Sequence, residues 1–379
     1  MELINYLKQF GIAQLQDEFN IKAVYSIAYP ELVTLCYDHT KTSRNPITNE
    51  CRGIILDKNT YEIRAYPFSR FGDYDPKKTT NFDFSDFKCF EKIDGSLIIL
   101  YFYAGKWQIG TKSMPDGRGK IAGLDQNYEQ MFWEIWHENG FALPTRQDFT
   151  YLFELKFPSN RQYITQTTTK SIALIGLRNI TTFEEIDIET ALQTQLIPAW
   201  NLVASKPMTR ISVIWEHAMA LNPSVDEGFV LLDKKFNRLK VKSPAYEWIA
   251  LLRRQNDDPA LNAVIQRDNF KRLLKIAKYS TEKAFISRYS NCEADFERII
   301  QAKLVLIERL EHILTEVRPL EGGAFGQYCK KSPFQKYVFH LKKSGNVMLF
   351  LKEGSEDAFV DMMMVVLKAL KTEWKNDST

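Results

Sequence analysis

A chain of 379 residues is too long for one comfortable core, so two domains are expected, and 45% hydrophobic with 26% charged residues excludes a disordered or low-complexity polymer. A formal net charge of +3 excludes nucleic-acid capture by the field of the whole protein, so any such contact must come from local patches. Five scattered cysteines (Cys36, Cys51, Cys89, Cys292, Cys329) lack the close pairs of a zinc site or disulfide framework and point to a reducing, cytoplasmic compartment.

In chain order, Glu2 and Lys8 interrupt the amino terminus before an export-type apolar region can form. From about residue 50 to 245 the pattern is short strands with one strong helix inserted. Strands are expected over 50–57 and 96–103, the second joined through Ala104-Gly105-Lys106 to 107–113 as a hairpin. The helix covers 124–139, where Tyr128, Met131, Phe132, Ile135 and Trp136 recur at helical spacing before Gly140. Strands follow over 151–157, 171–177, 227–233 and 238–242, the last two linked by the polar turn 234–237. After Pro244 the texture becomes helical, clearest over 296–317, where Ile299, Ile300, Leu304, Ile307, Leu310, Ile313 and Leu314 form an apolar stripe. The longest apolar run, 362–367, is too short for a membrane span. The fold class is α+β: an antiparallel-sheet domain over 1–245 and a mainly α-helical C-terminal domain over 246–379.

The chemistry starts with Lys92-Ile93-Asp94-Gly95, read as a turn directly before an apolar strand. An amine is nucleophilic only when uncharged, so a site that uses lysine must lower its pKa by desolvation or by neighbouring cations. Asp94 and Gly95 supply a turn that lets a nucleotide approach closely. Alone the tetrad says little, because average residue usage yields it in roughly one chain in ten of this length. An exposed hairpin turn explains it equally well.

Downstream residues alter that balance. Period-two geometry over 151–156 sets Glu154 and Lys156 on one face of a strand otherwise made of large apolar residues. Glu227-Gly228 places a second carboxylate at a strand entrance, and Arg238, Lys240 and Lys242 alternate onto one face of the next strand. Three such cations suit a polyphosphate and would help keep a nearby Lys92 neutral, whereas the bland alternative is an edge strand guarded by lysines.

The combination resembles the covalent nucleotidyltransferase superfamily of polynucleotide ligases and capping enzymes, whose motifs run K-x-D-G, a strand glutamate, E-G and K-x-K. Within it the sequence is similar to the bacteriophage T4 RNA ligase 1 family. The resemblance is carried by Glu50-Cys51-Arg52-Gly53-Ile54, by Lys92 to Ser96, by Lys112 twenty residues later, and by Phe153-Glu154 with Pro158 and Asn160-Arg161. Glu227-Gly228 and Lys240-Val241-Lys242-Ser243 complete it, over about residues 35 to 245. One departure lies in Pro67-Phe68-Ser69-Arg70-Phe71-Gly72-Asp73, where Arg70 replaces a family lysine; arginine still holds phosphate, bidentately rather than as a point charge.

The resemblance implies an antiparallel-sheet nucleotidyltransferase (ATP-grasp-like ligase) domain and an ATP-dependent RNA ligase that works through a lysyl-adenylate on Lys92. Lys92, Glu154, Lys240 and Lys242 are its expected catalytic residues. Glu227, with Glu154, is assigned to a divalent cation, Mg²⁺ or Mn²⁺, and Glu154 mainly to the ribose or later steps. Arg52 and Arg70 are assigned to the triphosphate, Lys112 to nucleotide or RNA phosphate, and Asp94 and Gly95 to nucleotide approach. Tyr37 falls near the family's nucleotide-site tyrosine, with a packed tyrosine an equal alternative. The implied partners are RNA with 5′-phosphate and 3′-hydroxyl ends, including cleaved tRNA, handled by a monomer in the cytoplasm (the host's if virus-encoded), away from membranes, with the helical domain conferring RNA-substrate specificity.

His39, His137, His217, His312 and His340 show no mutual ligand spacing and are read as structural or surface residues. Arg267, Lys271, Lys275 and Lys278 share a helix face that either tracks an RNA backbone or, more commonly, is simply solvated. Two rival functions stand beside the ligase. A capping guanylyltransferase or DNA ligase would usually continue into a β-barrel rather than helices. A silent nucleotide- or RNA-binding scaffold has no reason to retain all of Lys92, Glu154, Glu227, Lys240 and Lys242.

Overall fold

A computed structural model describes residues 1–75, 79, 81–121, 124–158, 169–256, 262–281 and 293–376. Its elements are α1 (Glu2–Phe19), β1 (Ile21–Tyr25), β2 (Leu32–Tyr37), α2 (Pro46–Glu50), β3 (Arg52–Asp57), β4 (Ile63–Ala65), β5 (Gly72–Asp73), β6 (Phe87–Lys92), β7 (Ser96–Tyr103), β8 (Lys106–Thr111), α3 (Tyr128–Glu138) and β9 (Phe149–Lys156). They continue as β10 (Ser171–Asn179), β11 (Glu185–Ile186), α4 (Ile188–Gln193), β12 (Ser205–Lys206), α5 (Ile211–Ala220), β13 (Gly228–Asp233) and β14 (Arg238–Lys242). Seven helices close the described chain: α6 (Pro244–Asn256), α7 (Asn262–Tyr279), α8 (Glu293–Val317), α9 (Gly322–Lys331), α10 (Gln335–Ser344), α11 (Val347–Glu353) and α12 (Glu356–Asn376). The chain divides into two compact units, one of residues 1–215 and 226–241, the other of 216–225 and 242–379.

The first unit holds three sheets, ordered β1-β2-β3-β4, β11-β10-β9-β7-β8 and β12-β6-β13-β14-β5. The ladders are antiparallel except where β14 meets β5. Strand β7 reads as an unbroken apolar run because both of its faces are buried. Leu97, Ile99 and Tyr101 pack with Ile55 and Leu32 of the first sheet, while Ile98 and Leu100 pack with Phe132 and Trp136 of α3. The other face of the first sheet takes Leu3, Leu7 and Leu15 of α1. The β7–β8 hairpin turns at Ala104 and Gly105, both with positive φ (50° and 77°), the two-residue geometry that matches strand twist.

The α+β expectation holds, and several boundaries move for identifiable reasons. The helix expected over 124–139 begins at Tyr128, because Asn127 and Gln130 form a reciprocal capping box. The sheet-rich region contains α4 and α5 as well as α3, so it has more than one inserted helix. Helix α8 buries Leu306 and leaves Leu304 56% exposed, a rotation of the expected stripe. In the second unit α8 packs against α7, α10, α11 and α12. Among the described residues no helix is long and apolar enough to cross a membrane, and Cys36, Cys51, Cys89 and Cys329 are free thiols; Cys292 lies outside the described residues.

Candidate active site

Lys92 is the last residue of β6 and stands in register with Gly228, the first of β13. The sequence reading placed it in a turn; the antiparallel partner extends the strand to the lysine, and only Ile93-Asp94-Gly95 form the connection to β7. Gly228 has φ 149°, a backbone conformation that side chains rarely adopt, so glycine is required where the chain delivers Glu227 to the end of this ladder. There Lys92 Nζ donates to Glu227 Oε2 at 2.7 Å, and Glu227 is 6% exposed.

Glu154 arrives from a different sheet. It lies on β9 opposite Leu97, on the strand face shared with Leu152, while Phe153 and Leu155 point into the α3 core. Gly95 permits the approach: a Cβ there would sit 2.7 Å from the Leu155 carbonyl oxygen and 2.8 Å from Glu154 Cγ. Burial pushes the Glu154 carboxyl up to about 7, against the pull of Lys92 and Arg52. Burial also works against the Lys92 ammonium, yet Glu227, Glu154 and Asp94 together outweigh it and hold the amine above its ordinary value. This reverses the expectation of a lysine kept neutral by neighbouring cations. Its nearest charges are carboxylates, so in this state Lys92 is a protonated partner of Glu227.

The cations collect around aromatic rings. Arg52, the first residue of β3, places its guanidinium 5.3 Å from the Phe71 ring centroid and hydrogen-bonds Tyr37, while its Nη1 is buried without a hydrogen-bond partner among the described residues. Tyr37 is 7% exposed and carries Arg70 at 4.1 Å and Lys112 at 4.2 Å over its ring. It is therefore a packed tyrosine that also assembles cations. Lys112 Nζ lies 2.7 Å from His39 Nε2, a histidine the sequence reading assigned to structure or surface. Lys240 sits 5.3 Å from the Phe71 centroid and 3.6 Å from Asp73. Phe71 thus joins Arg52 to Lys240, a link with no local sequence signal because it depends on β5 pairing with β14.

Two expected members stand apart. Arg238 is withdrawn into the interior, paired with Glu185 at 2.6 Å and 3.5 Å over the Phe68 ring, with Arg178 on the same carboxylate. The expected three-cation face therefore loses one member to a structural ion pair, and β14 is an interior strand rather than a guarded edge. Lys242 ends β14 at the boundary of the first unit, 3.9 Å from Glu247. Asn160 and Arg161 lie outside the described residues.

The donor set suits anions and a hard cation. An orphaned guanidinium nitrogen, Lys112 and Arg70 present charge without enough carboxylate to absorb it. Glu227 and Glu154 offer the oxygen ligands that Mg²⁺ or Mn²⁺ prefers. Among the described residues no three histidine, cysteine or acidic side chains form a metal cluster, so an ion held by these two glutamates would complete its shell from phosphate oxygens and water.

A family model described as RNA ligase, of the T4 RNA ligase 1 type, matches residues 50–246, just over half of the chain. The chain belongs to this RNA ligase family. It is 23% identical over 390 aligned residues to a protein of Autographa californica nuclear polyhedrosis virus named for polynucleotide kinase and RNA ligase, covering 96% of this chain and 53% of that one. It is 26% identical over 164 residues to an RNA ligase of Rhodothermus phage RM378, covering 34% and 37%. This chain thus spans about half the length, or less, of the curated relatives it matches. An archaeal ATP-dependent RNA ligase structure aligns over 83% of this chain and 82% of its own, at 14% identity and a TM-score of 0.47. The resemblance drawn from residues 35 to 245 and the family match cover the same stretch, which contains Lys92, Glu154, Glu227 and Lys240.

Proposed function

We propose that this chain is an ATP-dependent RNA ligase that joins 5′-phosphate and 3′-hydroxyl ends through an adenylate on Lys92. The observation that carries the reading is the meeting of Lys92 with Glu227 at 2.7 Å and with Glu154, from three segments remote in sequence, beside an Arg52 guanidinium whose Nη1 has no partner. A structural salt bridge would not need that surplus of cations; a bound polyphosphate would.

In the first step Lys92 must lose its proton, and Glu227 Oε2 is the acceptor at hydrogen-bond distance. The amine then attacks the α-phosphorus of ATP: an N–P bond forms, the α–β anhydride breaks, and pyrophosphate leaves. Arg52, Arg70 and Lys112 receive triphosphate or RNA phosphate, and Lys240 with Lys242 neutralises charge at the α-phosphate. A divalent cation held by Glu227 and Glu154 supplies further neutralisation of phosphate charge. An RNA 5′-phosphate next takes the adenylate and frees Lys92, and a 3′-hydroxyl attacks the activated phosphate and expels AMP. Glu154 serves these later steps and the ribose.

We assign residues 1–245 to adenylyl transfer and 246–379 to RNA selection, and place the protein as a monomer in the cytoplasm, with cleaved tRNA as the target its family resemblance favours. The deciding experiment incubates the protein with α-labelled ATP and Mg²⁺ or Mn²⁺ and then denatures it. Label should stay on the chain and vanish in Lys92→Ala; label retained by that variant, or none on wild type, defeats the mechanism and favours a silent scaffold. Adding RNA or DNA with 5′-phosphate and 3′-hydroxyl ends then separates RNA ligase from DNA ligase, and GTP in place of ATP tests the capping alternative.

A further inference from the structure

Residues 322–352 of the helical unit contain six lysines and no aspartate or glutamate, in a chain whose overall charge is nearly balanced. Five of the lysines, Lys330, Lys331, Lys336, Lys343 and Lys352, are exposed. The sixth, Lys342, is consumed internally, donating to the Leu320 carbonyl over the Phe325 ring. The remaining positive charge therefore faces solvent on α9, α10 and α11.

Helix α10 organises part of it. Lys336, Phe339, His340 and Lys343 fall at i, i+3, i+4 and i+7, the spacing of one helix face, and all four are exposed. The opposite face carries the buried Val338 and Leu341. Phe339 is 60% exposed and meets His340 edge to face at 5.7 Å. An exposed phenylalanine beside an imidazole, bracketed by lysines about 10 Å apart along the helix axis, is poor design for a merely solvated face. Stacking rings between backbone-tracking cations are what a single-stranded nucleic acid requires.

We infer that the α10 face formed by Lys336, Phe339, His340 and Lys343 binds single-stranded RNA, the lysines on successive stretches of phosphate backbone and the rings under unpaired bases. Charge complementarity commits the face to a polyanion, and the exposed rings favour one with stackable bases over a lipid headgroup surface. The choice of RNA rests on the ligase reading above; the face itself does not.

The test uses the full chain, without ATP, and a labelled oligoribonucleotide in a salt series read by fluorescence anisotropy. Lys336→Gln/Lys343→Gln should reduce the magnitude of the log affinity against log salt slope by about 1.4, two single-strand phosphates' worth. Phe339→Ala should weaken binding about tenfold, and Phe339→Trp should restore it. Far-ultraviolet circular dichroism checks that the helices persist, which is expected because the four side chains are exposed. Wild-type affinity and slope in all three variants, or no RNA binding by wild type, would overturn the assignment. Binding to phosphatidylserine vesicles with none to RNA would overturn it in favour of a lipid surface. Lys92 labelling is scored separately, so RNA binding lost in the variants without any label on wild type would leave the face standing and remove the ligase.

Discussion

The two units each bury a polar centre, and the two centres are built on opposite principles. In the first, Glu154 is pushed up to about 7 by burial and Arg52 Nη1 is buried without a partner. In the second, Glu356 at the start of α12 accepts from Trp248 Nε1 and Tyr279 OH at 2.9 Å each and pairs with Lys275 at 3.3 Å, tying α6 and α7 to α12. Nearby, Lys303 donates to the Ala277 carbonyl at 2.5 Å and Lys278 to those of Leu351 and Lys352, so each lysine closes the carboxyl end of a neighbouring helix. The helical centre satisfies its charges with its own backbone and side chains; the sheet centre holds charge in reserve. Unmet electrostatic demand separates a place for chemistry from a place for architecture.

That distinction can be broken by exchanging what is measured. Arg52→Met should lower label uptake about a hundredfold, on the order of 2.7 kcal/mol, because a preorganised donor to developing phosphate charge is removed. It should leave the melting temperature unchanged or raise it, since a buried unpartnered cation goes with it. A variant that melts several degrees lower and labels normally would make Arg52 architectural. Glu356→Ala should do the reverse. Losing the shared acceptor of Trp248, Tyr279 and Lys275 should cost about 3 kcal/mol, or roughly 5–10 °C, with labelling intact well below the transition. Impaired labelling at unchanged stability would show that the helical centre takes part in chemistry.

Much of this contrast was legible in the residues, and what was hidden depended on distance in the fold. Glu154 announced itself because a carboxylate between Phe153 and Leu155 violates the burial of its strand, and Lys240 and Lys242 by simple alternation. The β7–β8 hairpin followed from Ala104-Gly105. By contrast, nothing local distinguishes Arg238 from Lys240. Glu185, on a two-residue strand more than fifty positions away, withdraws the first into a buried ion pair. His39 likewise gains its place only because the end of β2 lies against Lys112. Lys275 and Lys278 looked like a solvated or RNA-tracking face, and tertiary packing turns them inward onto α12 and α11; Lys271 is exposed, and the side chain of Arg267 lies outside the described residues. The Lys92 charge was misjudged for the same reason, since the sequence displays the cations and conceals how close Glu227 stands.

The smallest expected effect is also the one that compares the units by sign. Burial pushes the Glu50 carboxyl of the first unit from 4.5 up to about 7, against the Leu3 amide that donates to it. The folded state then binds more protons than the unfolded between those values, so this contribution to stability is full below about 4.5 and is lost as pH rises through 7. Burial, helped by Lys278, lowers Lys303 of the second unit from 10.5 to about 8. Here the folded state binds fewer protons, so a penalty present below about 8 is relieved as pH rises toward 10.5. Discounted for partial solvent access, each effect should be no more than about 2 kcal/mol. Melting temperatures of Glu50→Gln against wild type should diverge in the variant's favour between pH 5 and 7, while any advantage of Lys303→Met should shrink between pH 8 and 10. Curves that stay parallel over both windows would mean that solvent reaches both groups, and the helical centre would then incur no charge penalty for capping α7.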